Sequence, residues 1–309
     1  MFSSLAHQPI NLPDYLAPLE ELEPFSRVQL IAFDLDGTLL KAPDEAPGER
    51  IKRLQGSAKS LGVRITLATG RTLTGAQNTL SALGDLGSTP IILYNGSLVV
   101  QPGLKKIIAH RKIEALAANK VIEIARDNDV DLFIYTVSDE NAEGCSEIGT
   151  WETVSFVGAV PPAREFNGMK VFNLETEYVQ LAVTAMLILL KPQSDQVRLN
   201  KVLKNLDGIS ITSSGSRFIE LRPKGSSKAA GMTDVIRSLK LSQKDVLAVG
   251  DNDNDVELLE WAGIGVSVQG ASPMAKSASD YVSRFGAENA AIDVLEIVRR
   301  AKRLHRTKR

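Results

Sequence analysis

Cysteine is almost missing from this chain of 309 residues. Cys145 stands alone, which rules out an intramolecular disulfide and a metal site built from cysteines. Histidine is nearly as scarce: His7, His110 and His305 lie far apart in sequence and give no ground for assuming a zinc site. Long hydrophobic runs are missing too. The longest apolar stretch, 181–190, is far shorter than the roughly 20 residues a membrane-spanning helix needs. No basic opening followed by an apolar core marks the N-terminus, and the first arginine is Arg27, so no leader is expected and a reducing, cytoplasmic setting is. Nor is there an excess of one charge. The formal net charge of −1 argues neither for nor against nucleic acid. What is present, 43% hydrophobic and 24% charged residues, is the composition of an ordinary globular protein, long enough for two domains or one with a large insertion.

The stretch that organises the rest is Ile31-Ala32-Phe33-Asp34-Leu35-Asp36-Gly37-Thr38-Leu39-Leu40. Residues Val28 to Phe33 read as a strand buried on both faces. It stops at two carboxylates one residue apart and then at a glycine, after which apolar residues resume. The plain reading is a strand ending in solvated aspartates with Gly37 turning the chain. The alternative is a divalent cation, because carboxylates that repel each other at the end of a buried strand are reconciled by a hard cation that takes oxygen ligands.

Around this stretch the chain alternates. Residues 1–27 hold Pro9, Pro13, Pro18 and Pro24, a density that prevents a long helix and suggests an arm packed on the surface or mobile. A helix is predicted over 49–61, a strand over 63–68 ending in Thr69-Gly70-Arg71, a helix to about 83, and a strand over 91–93 running into Tyr94-Asn95-Gly96-Ser97. Strand–helix alternation of this kind is the signature of a parallel sheet covered by helices. The rhythm then breaks. A helix over 113–126 and a strand over 131–135 lead into a loop-rich acidic stretch through Glu152, followed by a strand over 183–190, a helix over 195–206, and strands over 209–212 and 218–221. The opening rhythm returns with a helix over 228–239, a strand over 246–249, a helix over 255–262, a strand over 265–268 and a last helix from 289. The expected fold class is α/β, a Rossmann-like parallel sheet covered by helices, with an inserted α+β unit. The expected domains are an N-terminal arm (1–27), a core (28–100 and 223–299), the insertion (101–222) and a basic tail (300–309), the last read as a helix end in solvent.

A second apolar strand also ends in acids, at Val249-Gly250-Asp251-Asn252-Asp253-Asn254-Asp255. In an open parallel sheet the C-terminal strand ends share one edge, where ligands bind. Asp34, Asp36, Thr69, Asn95 and Asp251 all fall at predicted strand ends. Lys228 opens a helix after Gly225-Ser226-Ser227, with Lys224 as a nearby competitor. Carboxylates for a cation, with a hydroxyl, an amide and an ammonium near helix starts, suit a phosphoryl group. Each piece has a bland reading as a turn or a solvated side chain; their order and their placement at element boundaries make the set specific.

Asp34-Leu35-Asp36-Gly37-Thr38-Leu39-Leu40, Thr69-Gly70-Arg71, Gly225-Ser226-Ser227-Lys228 and Gly250-Asp251-Asn252-Asp253-Asn254-Asp255 resemble the four motifs of the haloacid dehalogenase-like hydrolase superfamily. Asn95-Gly96 and Ala262-Gly263-Ile264-Gly265-Val266 are similar to its Cof-like branch, whose cap follows the third strand. The resemblance implies that Asp34 is the nucleophile and Asp36 the general acid. It implies that Thr69, Gly70, Lys228 and Asn254 bind the phosphoryl group. Mg²⁺ would be held by the Asp34 side chain, the Asp36 carbonyl and Asp251, with Asp255 and Asn95 in support and Arg71 holding a helix start. Asn252 stands where the family often has glycine or serine, and Asp253 adds a carboxylate that could alter metal affinity.

The implied function is a Mg²⁺-dependent phosphatase that hydrolyses a sugar phosphate or related ester through an aspartyl-phosphate. The expected partner is this small metabolite, not nucleic acid or a membrane. Alternatives are a phosphomutase, a phospho-accepting signalling domain and a non-catalytic binder of a phosphorylated ligand. Arg217, Glu220 and Arg222 lie on a polar strand of the cap and are read as solvated.

Overall fold

The computed structural model describes residues 9–14, 16–42, 46–104, 106–138, 151–159, 169–212, 217–287 and 289–307. Cys145, His7 and most of the acidic stretch before Glu152 lie outside the described residues. The elements begin with strand β1 (Ile10–Asn11), helix α1 (Leu19–Ser26), β2 (Leu30–Phe33), α2 (Glu49–Ser60), β3 (Arg64–Leu67), α3 (Leu73–Leu83) and β4 (Ile91–Leu93). They continue with β5 (Leu98–Gln101), β6 (Lys106–His110), α4 (Ala115–Asp127), β7 (Asp131–Val137), β8 (Glu152–Val157), β9 (Lys170–Asn173), β10 (Ala185–Leu189), α5 (Gln196–Leu203), β11 (Ile209–Thr212) and β12 (Phe218–Pro223). Last come α6 (Lys228–Leu239), β13 (Val246–Gly250), α7 (Val256–Trp261), β14 (Ile264–Ser267), α8 (Pro273–Ala278), β15 (Tyr281–Val282) and α9 (Asn289–Thr307). Two compact units result, one of 1–69, 78–92 and 227–309, the other of 70–77 and 93–226.

The first unit is built on a six-stranded sheet in the order β1-β15-β14-β13-β2-β3, parallel throughout. Its central strands β2 and β13 are buried at every position, so both read as unbroken apolar runs. The proline-rich arm is more than a surface strap. Ile10 pairs with Tyr281, which makes β1 an edge strand of the sheet. Pro24 sits inside α1 and costs it a backbone hydrogen bond, so the helix stays at eight residues. Even so, Leu22 and Phe25 are fully buried, α1 packs on α9, and the Phe25 ring lies 5.3 Å from that of Tyr281. The basic stretch from Arg300 to Thr307 is the end of α9, with Ala301 buried beneath it.

The second unit carries a sheet in the order β11-β12-β10-β7-β8-β9, antiparallel except where β8 meets β9. Helices α4 and α5 cover one face through Ala118, Val121, Ile122, Leu199 and Leu203, which pack on Leu132, Ile134, Met186, Ile188, Ile219 and Leu221. Phe133, Val154, Phe156 and Met169 cluster on the opposite face. A smaller sheet has the order β4-β5-β6. Strands β5, β6, β8 and β9 have no counterpart in the sequence-based expectation. Glu152, placed there at the end of a loop, is the first residue of β8. Among the described residues no helix is long and apolar enough to cross a membrane.

Candidate active site

β2 and β13 are neighbours, with Phe33 opposite Val249. The chain leaves β2 for β3 on one side, and β13 lies on the other, which makes a topological switch point of the kind where parallel sheets bind ligands. Asp34 is the next residue after β2; its N–H donates to the Val249 carbonyl at 2.9 Å. Asp251 is the next residue after β13, so the two acids leave the sheet side by side.

Gly37 turns the chain beneath them with φ +85°, a left-handed conformation that glycine adopts without steric cost. A Cβ there would come 2.2 Å from Asp251 Oδ2, so Gly37 also makes room for the second acid. Thr38, fully buried, donates from Oγ1 to Asp251 Oδ1 at 3.1 Å. The same loop holds Asp36, half-buried and bridged to Leu40.

Lys228 is the first residue of α6, whose N-cap Ser227 accepts the Ala230 N–H at 3.1 Å. Its ammonium is wholly buried and donates to Asp34 Oδ1 at 2.6 Å and to Asp255 Oδ1 at 2.7 Å. The other oxygen of Asp255, Oδ2, accepts the backbone N–H groups of Asp251 (3.0 Å) and Asn252 (3.1 Å). Asn254 precedes it in the same 3₁₀ turn. Gly250 permits the close return of that turn, since a Cβ there would lie 2.6 Å from the Cβ of Asp255. The additional carboxylate, Asp253, is exposed and accepts Ser272 Oγ at 2.6 Å.

Burial raises the Asp34 carboxyl well above its ordinary value; Lys228 opposes the shift, while Asp255 and Asp251 add to it. Asp251 is raised as well, by burial and then by Asp255. For Lys228 burial acts downward, yet Asp255 and Asp34 outweigh it and the ammonium is held more firmly than in water.

Oxygens of Asp34, Asp251 and Asp255 lie within 4.8 Å of one another, a hard, all-carboxylate donor set that fits a divalent cation. Asp255 already receives Lys228 and two backbone amides, so Asp34 and Asp251 keep more acceptor capacity for such a cation.

The remaining motif residues fall in different places. Thr69, buried just beyond β3, donates its N–H to Ile92 at 2.9 Å. Gly70, Arg71 and Asn95 belong to the second unit. There a Cβ on Gly70 would meet Asn95 Nδ2 at 2.9 Å, and Asn95 Nδ2 donates to Glu220 Oε2 at 2.7 Å. Arg71 Nη1 donates to the Gly75 carbonyl at 2.9 Å and so holds a helix start. Glu220 is therefore half-buried and engaged, contrary to the solvated reading; the sequence holds no signal of its partner. Lys224 is exposed and faces Asp207 at 3.7 Å, which leaves Lys228 as the buried lysine.

The family model for haloacid dehalogenase-like hydrolases matches residues 31–295, which includes every one of these positions. The chain belongs to that family. This haloacid dehalogenase-like hydrolase is similar to the 5-amino-6-(5-phospho-D-ribitylamino)uracil phosphatase YwtE of Bacillus subtilis, 24% identical over 277 residues, 85% of this chain and 95% of that one. It is also similar to the HMP-PP phosphatase of Escherichia coli, 26% identical over 261 residues, 84% of this chain and 90% of the relative. The solved structure of the HAD subclass IIB sugar phosphatase BT4131 matches 90% of this chain with 99% of its own, at TM-score 0.67 and 18% identity, a likeness of fold. The chain is an enzyme, a haloacid dehalogenase-like phosphatase.

Proposed function

We propose that the enzyme hydrolyses a sugar phosphate or related small phosphate ester with Mg²⁺, through an aspartyl-phosphate on Asp34. The observation that carries this reading is the buried Lys228 ammonium shared by Asp34 and Asp255, with Asp251 alongside. It keeps a carboxylate pointed and charge-balanced in a site otherwise hostile to its ionised form. Residues 28–100 and 223–299 form the catalytic core in this reading, and residues 101–222 the cap that selects the ester.

Asp34 attacks phosphorus, and the bond from phosphorus to the ester oxygen breaks. Asp36 gives its proton to the departing oxygen. A water then attacks the same phosphorus; Asp36 takes back a proton, the Asp34–phosphorus bond breaks, and inorganic phosphate leaves. Lys228, Thr69, Gly70 and Asn254 hold the phosphoryl oxygens, while Asp255 and Asn95 orient their neighbours. The Asp34 and Asp251 carboxylates with the Asp36 carbonyl would hold Mg²⁺, which supplies neutralising charge to the phosphoryl oxygens. The names of the relatives support a phosphorylated polyol or sugar as substrate class, since one acts on a phosphoribityl compound and another is a sugar phosphatase.

The test is a panel of phosphate esters assayed with and without Mg²⁺ on the wild type and on Asp34→Asn. Multiple turnovers that vanish with EDTA, and a loss of several orders of magnitude in the variant, are expected. Near-wild-type Mg²⁺-dependent turnover in Asp34→Asn would remove the nucleophile.

A further inference from the structure

A nearly sealed carboxylate outside the cation site has no place in that mechanism. Glu152, the first residue of β8, is 1% exposed, and among the described residues none of its bonds is to a lysine or arginine. Oε1 accepts the Leu73 N–H at 2.6 Å and the Tyr94 hydroxyl at 2.6 Å. Oε2 accepts the Thr74 N–H at 2.7 Å and the Thr74 hydroxyl at 2.6 Å. A carboxylate has about four acceptor sites, and here all of them are used.

The donors sit at two turns. Leu73 and Thr74 open α3, where the first amides have no partner inside the helix and a negative charge is favoured. They follow Thr69-Gly70-Arg71 directly in the chain. Tyr94 belongs to the other turn, and its N–H donates to the Arg71 carbonyl at 3.1 Å. The path from Arg71 through the Tyr94 backbone, ring and hydroxyl to Glu152, and back through the Leu73 amide, is a closed clamp. Tyr94 and Asn95 hold φ of 49° and 51°, a left-handed pair that a non-glycine sequence keeps only when its surroundings enforce it. For Tyr94 the enforcement is visible: its ring lies 5.7 Å from that of Tyr135, and its hydroxyl ends on Glu152. Burial and Glu152 hold the phenol well above its ordinary pKa, so it stays a donor.

We propose that Glu152 is a positioning residue that fixes the Thr69-Gly70-Arg71 turn and the Tyr94-Asn95 turn in the conformations that receive a phosphoryl group. The proposal rests on the phosphatase reading for the role of those turns. It separates Glu152 from the metal site: loss of the clamp loosens the grip on phosphate and leaves the cation ligands as they are. Gln at this position keeps the volume but turns an NH₂ toward one backbone N–H, so that bond fails, and the hydroxyl beside it must reverse from donor to acceptor.

The test measures binding of inorganic phosphate by calorimetry at saturating Mg²⁺, together with the Mg²⁺ concentration for half-maximal activity, in Glu152→Gln, Tyr94→Phe and the wild type. Expected are a phosphate affinity at least tenfold weaker in Glu152→Gln, about threefold weaker in Tyr94→Phe, and Mg²⁺ half-activation within twofold of wild type in both. A folded Glu152→Gln that binds phosphate as the wild type does overturns the proposal, as does an equal loss of Mg²⁺ response. If Glu152→Gln does not fold, Tyr94→Phe decides by the same readout, and wild-type phosphate affinity in it is fatal. Because phosphate binding needs no turnover, a wild type that binds phosphate yet hydrolyses no ester counts against the phosphatase reading alone.

Discussion

At the scale of single residues, the acids Asp34 and Asp251 and the lysine Lys228 were legible because each interrupts a pattern. An apolar run that ends abruptly in carboxylates, or a lysine at a helix start behind Gly-Ser-Ser, stands out from its surroundings. Thr38, Glu152 and Glu220 were not legible. A threonine in a loop or a glutamate in a strand looks the same whether its partner is water or a buried amide, and those partners lie far away in sequence. Lys228→Met leaves Asp34 and Asp255 buried without their cation, and a loss of about 3–5 kcal/mol is expected in urea denaturation of the metal-free protein. Gly37→Ala meets both a left-handed backbone and Asp251, so Mg²⁺ half-activation should rise at least tenfold. Unchanged activation would mean that the loop yields without moving the acid. The raised carboxyls of Asp34 and Asp251 also set a sign. A raised folded-state pKa favours the metal-free fold at low pH and withdraws that support as pH rises through it, whereas a cation requires the ionised forms. The increase in Tm produced by Mg²⁺ should therefore be larger at pH 8 than at pH 5; a larger increase at pH 5 would contradict the assignment.

At the scale of elements, strands β2, β3, β13 and β14 and helices α2, α3, α6, α7 and α9 followed from hydrophobic period and from glycines that close helices. The two-residue strands β1 and β15 and the six-residue helix α8 are too short to show a period. Two further classes of element were not legible either. Strands β5, β6 and β9 lack a clean alternation, β8 alternates only over the four residues Thr153 to Phe156 behind an acidic stretch, and β9 is exposed at all four positions, so little in its sequence separates it from loop. Helix α1 was hidden by its prolines. Proline limits the length of a helix but does not prevent a short one from burying two large side chains. Phe25→Ala should cost about 3–5 kcal/mol of unfolding free energy, as a fully buried aromatic does, whereas a dispensable arm would show almost no change.

At the scale of the whole molecule, the α/β class was readable because strand order in a parallel sheet brings carboxyl ends together whatever their separation in the chain. That rule joins Asp34 to Asp251 across more than two hundred residues without any local signal. It does not reach the cap-type insertion, whose antiparallel pairings depend on register. The sealed position of Lys228 has a consequence for chemistry applied to the entire protein. Acylating reagents attack the free amine, and this nitrogen is both shut off from solvent and unwilling to give up its proton. When exposed lysines such as Lys52 and Lys224 have been fully acetylated, Lys228 itself should remain unlabelled. It should gain the label only once urea has opened the fold, so that a second acetyl group on the peptide carrying Lys224 and Lys228 serves in a mass spectrum as a clock for unfolding.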